Sequence, residues 1–334
     1  MSRETIIYAK KISIGYAKTK HSAKTALYNN LSFELYKGEL VCLLGSNGAG
    51  KSTLLRTISA SQATLSGEIF VNNKNVATYS EKELSQLLGL VLTDKTSTGG
   101  LLVRELVELG RYPYTGFFGQ LTTKDKNIVQ KAMEDVGIVH KANVYVAQLS
   151  DGERQKAMIA KALAQECPIV LLDEPTAFLD IESRIEIMNL LHNLAMKNEK
   201  TILLSTHDID MALLLADRLW LLSRDRGLTI GVTEDIVVSG KMDHFFKEDK
   251  IVFDRYSGTF LPNRKNEKKV FLKADNYLFH WTKNMIERNG YSITDNKEDS
   301  LFSIIVDSVG SITLQKDMTT AIKLDSYEQL SEYL

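Results

Sequence analysis

The sequence predicts an α/β fold in two unequal parts, a large domain built on parallel strands followed by a small α/β unit. Three observations carry that expectation. From Ile6 to Leu222, short β-branched or leucine-rich runs alternate with longer amphipathic stretches. Glu39–Leu44, Ile169–Leu172 and Thr201–Ser205 are continuous apolar runs without period-two alternation, as parallel strands covered on both faces require. Composition then shifts near Ser257–Gly258 and again over Asn263–Lys269, a polar, basic run that reads as a linker or exposed turn. The expected division gives residues 1–246 to the large domain and 247–334 to a C-terminal extension.

A length of 334 residues fits about two domains. With 44% hydrophobic and 25% charged residues, the chain has ordinary globular usage and enough apolar material for a sizeable core. Lys plus Arg (41) nearly balances Asp plus Glu (42), so no overall basic field gathers the protein onto nucleic acid, and no nucleic-acid partner is expected. Cys42 and Cys167 lie far apart beside apolar runs, without the paired spacing of a zinc or redox site. They read as buried thiols in a reducing compartment. No apolar stretch approaches the roughly eighteen residues a membrane span needs, and Met1–Lys11 holds no signal-peptide core. Membrane contact is therefore expected through a partner.

Along the chain, Glu39–Leu44 reads as a strand that runs into a glycine-rich turn, and Leu88–Leu92 as another strand. Val103–Leu109, Thr123–Val136 and Gly152–Ala164 space their apolar residues helically, which makes a largely helical insert in the sheet. Ile169–Leu172 and Thr201–Ser205 resume the sheet. The extension reads as strand Val270–Lys273, helix Asn276–Arg288 stopped by Gly290, strand Leu301–Val306, further strand, and a last helix from Ser326.

Gly45-Ser46-Asn47-Gly48-Ala49-Gly50-Lys51-Ser52 fits the phosphate-binding pattern G-x-x-x-x-G-K-S, placed between a buried strand and a helix as that pattern requires. Its glycines let successive N–H groups curl around phosphates, and the positive end of the helix favours the anion. Lys51 would reach the β- and γ-phosphates and Ser52 would coordinate Mg²⁺. Ile169–Leu172 ends in the adjacent carboxylates Asp173 and Glu174. Asp173 suits Mg²⁺, and Glu174 would polarise the attacking water. Alone, such a pair is usually a solvated turn; beside a phosphate loop it reads as catalytic.

Leu149-Ser150-Asp151-Gly152-Glu153 resembles the signature sequence of ABC ATPases, usually Leu-Ser-Gly-Gly-Gln, and differs from it at two of five positions. It also reads as a capping box, Ser150 with Glu153, and both readings can hold together. Ala177-Phe178-Leu179-Asp180 resembles the loop that crosses the family's dimer, and Ser205-Thr206-His207-Asp208 its switch-histidine segment. Gly15-Tyr16 is similar to the adenine-stacking aromatic, although Tyr16 also reads as a strand-end core residue. The resemblance spans roughly residues 5–245, with the motifs in family order.

It implies a P-loop NTPase of the ABC type, with a mixed core sheet and a helical signature subdomain. It also implies ATP and Mg²⁺ as cofactors, and a head-to-tail homodimer around two ATP molecules. The implied ATP-binding set is Tyr16, Gly45, Ser46, Asn47, Gly48, Ala49, Gly50, Lys51, Ser52 and Thr53, with Ser52 and Asp173 on the metal. Glu174, His207 and Lys51 are the implied catalytic residues. Ser150, Asp151, Gly152 and Glu153 would act on the other subunit's nucleotide, and Asp180 in the dimer loop. Asp151 brings a negative charge near that phosphate, which weakens closure or points away.

Glu105-Leu106-Val107-Glu108-Leu109-Gly110-Arg111-Tyr112-Pro113-Tyr114, with Gly116-Phe117-Phe118-Gly119, is similar to importer ATPases serving iron–siderophore, haem and cobalamin permeases. The plainer reading is a helix ended by Gly110 and a proline turn with locally packed aromatics. The implied partners are integral membrane permease subunits and, indirectly, a substrate-binding protein. The implied location is the inner face of the cell membrane. The rival expectation is a soluble ABC ATPase in cofactor assembly. After Leu88–Leu92 the family usually has glutamine, and Thr93-Asp94 stands there instead.

Overall fold

The computed structural model describes residues 3–16, 25–92, 100–116, 119–243, 245, 251–264, 266–316 and 320–334. Leu40–Leu44, Ile169–Asp173 and Thr201–Thr206 are strands buried at every position, and they are neighbours in a six-stranded sheet. Its order is Gly227–Val232, Arg218–Ser223, Leu40–Leu44, Thr201–Thr206, Ile169–Asp173, Leu88–Val91. The last five strands run parallel, and Gly227–Val232 pairs antiparallel at one edge. Leu44 lies opposite Thr206 and Asp173 opposite Ser205, so the residues that follow these strands emerge side by side.

A second, antiparallel sheet has the order Thr25–Tyr36, Thr5–Tyr16, Ser66–Val71, Lys74–Asn75. Here burial alternates. Leu31, Phe33 and Leu35 are buried while Ser32 and Glu34 face out, the period-two pattern of a strand with one solvated face. Ile7, Ile12, Phe33 and Leu35 share one core with Val41, Leu171, Leu203 and Trp220 of the parallel sheet. The rings of Phe33 and Trp220 lie 4.8 Å apart. Helix Lys51–Ile58 adds Leu54, Leu55 and Ile58 to that core, which fixes its N-terminus against the sheet.

The insert holds helices Val103–Glu108, Thr123–Asp135 and Asp151–Ala164. Gly110 permits a close backbone approach, since a Cβ there would meet the Lys161 carbonyl oxygen at 2.2 Å. The chain does not turn at Gly110 and Pro113 as the plainer sequence reading has it; it continues as a 3₁₀ helix, Leu109–Tyr114. Arg111 explains this. Its guanidinium is buried, 2.9 Å from Asp125, 2.8 Å from Glu166 and 2.7 Å from the Ala164 carbonyl, tying three segments together.

The chain divides into two compact units, Met1–Lys247 with Phe253–Thr259, and Glu248–Val252 with Phe260–Leu334. The smaller unit has a five-stranded sheet ordered Tyr291–Thr294, Lys268–Ala274, Phe302–Ser308, Ser311–Gln315, Ala321–Leu324. The first three strands are parallel and the last two antiparallel. Val270, Leu272, Ile304, Val306, Ile312 and Leu314 form a core of their own with Leu278 and Ile286 of helix Asn276–Arg288 and Leu330 of helix Tyr327–Ser331. The expected helix has the observed bounds. The edge strands Tyr291–Thr294 and Ala321–Leu324 are too short to stand out from sequence.

Candidate nucleotide site

The glycine-rich turn between Leu44 and helix Lys51–Ile58 forms a loop only particular residues can make. Gly48 and Gly50 have φ of 73° and 98°, values L side chains rarely adopt. A Cβ on Gly45 would lie 2.9 Å from the Leu222 carbonyl oxygen. The Ala49 N–H donates to the Ser46 carbonyl at 3.0 Å. From outside, the Tyr28 hydroxyl donates to the Ala49 carbonyl at 2.6 Å and Arg224 donates to the Gly48 carbonyl at 2.9 Å. Ser46, Asn47 and Gly48 are exposed, whereas Gly45, Ala49 and Thr53 are buried. No sequence pattern marks Tyr28 or Arg224, because each reaches the loop only through the fold.

Lys51 extends into the concavity of this loop. Its ammonium donates to the Gly45 carbonyl at 3.0 Å and lies 3.4 Å from Glu174 Oε1 and 2.9 Å from His207 Nε2. His207 Nε2 is in turn 2.7 Å from Glu174 Oε1. The structure thus brings together three side chains from three motifs 33 to 156 positions apart. Burial pushes the Lys51 ammonium below its usual range, against the pull of Glu174 and Asp173. Nε2 of the histidine carries either a proton or a lone pair, so it serves Glu174 or Lys51 but not both at once.

Glu174 itself is strained into the left-handed region, φ 48°, which is unusual for a residue with a side chain. Ser205 holds it there. The Glu174 N–H donates to the Ser205 carbonyl at 3.1 Å and to Ser205 Oγ at 2.9 Å, while Ser205 Oγ donates to Asp173 Oδ1 at 2.7 Å. In the sequence Ser205 stands out only as part of the histidine segment; its hold on the acid pair comes from strand register. Ser52 stands in the first turn of the helix. A serine hydroxyl and a carboxylate are the hard oxygen donors Mg²⁺ prefers. Among the described residues no group of three or more His, Cys, Asp or Glu side chains could hold a metal.

Ser150 caps helix Asp151–Ala164 in a full capping box, accepting from Glu153 N–H at 3.2 Å while Glu153 accepts from Ser150 N–H at 3.0 Å. Glu153 also pairs with Lys141 at 3.0 Å, and Asp151 with Arg154 at 3.2 Å. Asp151 is therefore balanced within its own helix. Gly152 permits a close approach, since a Cβ there would meet Ser183 Oγ at 2.8 Å. Asp180 caps helix Ile181–Asn198 by accepting from Ser183 N–H at 2.7 Å, a bond that holds its carboxyl below the usual range. Beside it Phe178 is 83% exposed at φ 65°.

Tyr16 ends its strand with the ring more than half exposed, not as a buried core residue. Thr93 and Asp94 lie outside the described residues, as do Phe117 and Phe118. In the Arg111 segment Tyr112 is 79% exposed. Tyr114 is instead structural, its ring 4.1 Å under the Arg111 guanidinium and its hydroxyl donating to the Gln165 carbonyl at 2.9 Å.

Residues 28–177 match the family model described as ABC transporter, and residues 267–334 that of the iron ABC transporter C-terminal domain. An uncharacterized ABC transporter ATP-binding protein of Methanocaldococcus jannaschii is 33% identical over 269 residues, 80% of this chain and 91% of that protein. The ferric enterobactin transport ATP-binding protein of Escherichia coli is 34% identical over 250 residues, 75% of this chain and 90% of its own. The petrobactin import ATP-binding protein FpuD of Bacillus anthracis is 34% identical with the same coverage, 75% and 90%. Among solved structures, the dimeric, ADP- and phosphate-bound cassette MJ0796 superposes with a TM-score of 0.59 at 26% identity, covering 68% of this chain and 99% of that one.

Proposed function

Because the chain belongs to the family of ABC transporter ATP-binding proteins, we propose that it is the ATP-hydrolysing subunit of an importer of ferric siderophores. The observation that carries the ATPase part is the meeting of Lys51, Glu174 and His207 at the open end of the parallel sheet. The iron part is supported by the match of residues 267–334 to a domain of iron ABC transporters and by the siderophore cargoes of the relatives.

In this reading the loop N–H groups and Lys51 take the β- and γ-phosphates. Ser52 and Asp173 would hold Mg²⁺, which when bound would neutralise phosphate charge. Glu174 accepts a hydrogen bond from the attacking water, and His207 keeps that carboxylate oriented. Tyr16 offers its exposed ring to the adenine. Ser150, Gly152 and Asp180 face the nucleotide of a second copy. The phosphate then bridges two subunits until hydrolysis removes the bridge, which gives nucleotide differential affinity for closed and open states. The dimer works under integral membrane permease subunits on the inner face of the membrane, with a substrate-binding protein delivering cargo; among the described residues no helix is long and apolar enough to cross a membrane.

The test is uptake of ⁵⁵Fe-loaded siderophores by cells lacking this chain, complemented with wild-type or with Glu174→Gln. Uptake restored by wild type alone supports the reading. Normal uptake without the chain refutes the cargo, and failure to co-purify any integral membrane protein refutes the transporter.

A further inference from the structure

The smaller unit carries a cavity of about 850 Å³ that the nucleotide chemistry does not use. One wall is a stripe of helix Asn276–Arg288 on which Tyr277, Trp281, Met285 and Arg288 recur at helical spacing. Tyr327 of the last helix also lines it, its hydroxyl 2.8 Å from Thr282 Oγ1 on the same helix Asn276–Arg288. Tyr277 and Trp281 are each 62% exposed, although large aromatic surfaces are the costliest to leave in water. At the helix's C-terminal end, Arg264 donates to the Glu287 carbonyl at 2.7 Å. The Arg288 side chain has no hydrogen bond or ion pair among the described residues.

We propose that this groove binds a small aromatic anion, its ring on Trp281 and Tyr277 and its acid group on Arg288. The volume lies within the roughly 300–1,000 Å³ of small-ligand pockets, and aromatic walls with few polar groups are their usual lining. A guanidinium without a partner is a fork of donors ready for a carboxylate. The acids of the lining are already stabilised: Glu287 pairs with Lys283 at 3.8 Å, and Glu328 stands in the first turn of the last helix, where the helix dipole favours it. A second copy of the chain is the poorer occupant, because a two-fold contact would set one concave groove against another and leave the space unfilled. Binding here is independent of the transported cargo.

The chain has two tryptophans, and Trp220 is fully buried, so acrylamide quenches Trp281 selectively in the full-length protein. The probe is 3-phenylpropionate, which does not absorb where tryptophan is excited, with heats of binding read by titration calorimetry in parallel. Saturable protection of Trp281 is expected, with affinity reduced at least about tenfold by Arg288→Ala, by Trp281→Ala, or by replacing the probe with uncharged 3-phenylpropanol. Both residues are exposed, and circular dichroism checks that the variants fold; the alcohol comparison needs no variant. The proposal is overturned by the absence of saturable protection at millimolar probe or by equal binding of the alcohol. It is equally overturned by unchanged affinity in both variants, or by Trp281 protection that grows with protein concentration without probe, which would assign the groove to a second copy.

Discussion

At the scale of single residues, the nucleotide site is a contest for one ammonium. Lys51 is shared among the Gly45 carbonyl, His207 and Glu174; in the proposed mechanism a phosphate would draw it away from Glu174 before that carboxylate acts on water. Glu174→Gln keeps the size and loses the charge. Steady-state ATP hydrolysis should fall by about a hundredfold or more while ATP binding persists, and ADP should bind more tightly because its phosphate no longer competes with a carboxylate. Phosphate release and ADP titration read the two effects; unchanged turnover removes Glu174 from the mechanism. At the position where the family resemblance expects glutamine, Thr93 is shorter and offers a hydroxyl, so we expect it to act on a metal only through water. Thr93→Ala should therefore change basal hydrolysis by less than about tenfold, and a loss as large as that of Glu174→Gln would make the hydroxyl a direct contact.

At the scale of elements, the helical insert is held by a buried charge and presents an aromatic outward. Arg111 is nearly inaccessible beside Asp125, and removing one member of such a pair leaves the other charge unmatched. Arg111→Ala should cost about 3–5 kcal/mol by denaturant unfolding. The Asp125 carboxyl is held low, first by the Thr122 hydroxyl and also by the Arg111 guanidinium. Because its folded pKa lies below the unfolded value near ~3.9, its contribution is complete above that value and lost as pH falls through the folded pKa. The melting-temperature gap between wild type and Asp125→Asn should be open at pH 7 and begin to narrow only below about pH 4, closing as pH falls through the folded pKa. Tyr112→Ala should leave the fold and the isolated ATPase intact while uncoupling transport, since its ring faces solvent. Tyr114→Ala should lower stability instead, because it removes a ring from under Arg111 and a hydrogen bond to Gln165.

At the scale of the whole molecule, each unit has its own apolar core, with no residue in common between the two clusters. We expect deletion of Asn263–Leu334 to spare ATP binding, and to alter dimerisation or the coupling of hydrolysis to transport. Nucleotide titration, sedimentation and reconstituted uptake measure the three; wild-type dimerisation and coupling in the truncated chain would make the extension a passive appendage.

The motifs were legible from sequence because each rests on local constraints. Gly48 and Gly50 adopt φ values that few other residues tolerate, the strand Ile169–Asp173 is apolar because both its faces are covered, and Ser150 with Glu153 satisfies a helix end three residues away. Helix Asn276–Arg288 was equally readable from its period and its terminal glycine. The antiparallel sheet was not separated out, although Leu31, Phe33 and Leu35 alternate, because alternation does not say which strands pair. Only the tertiary structure decided that Lys51, Glu174 and His207 converge, that Ser205, Tyr28 and Arg224 hold their surroundings in place, and that Tyr114 packs while Tyr112 does not. Those outcomes depend on strand register and on distances between residues remote in the chain, which no local periodicity encodes.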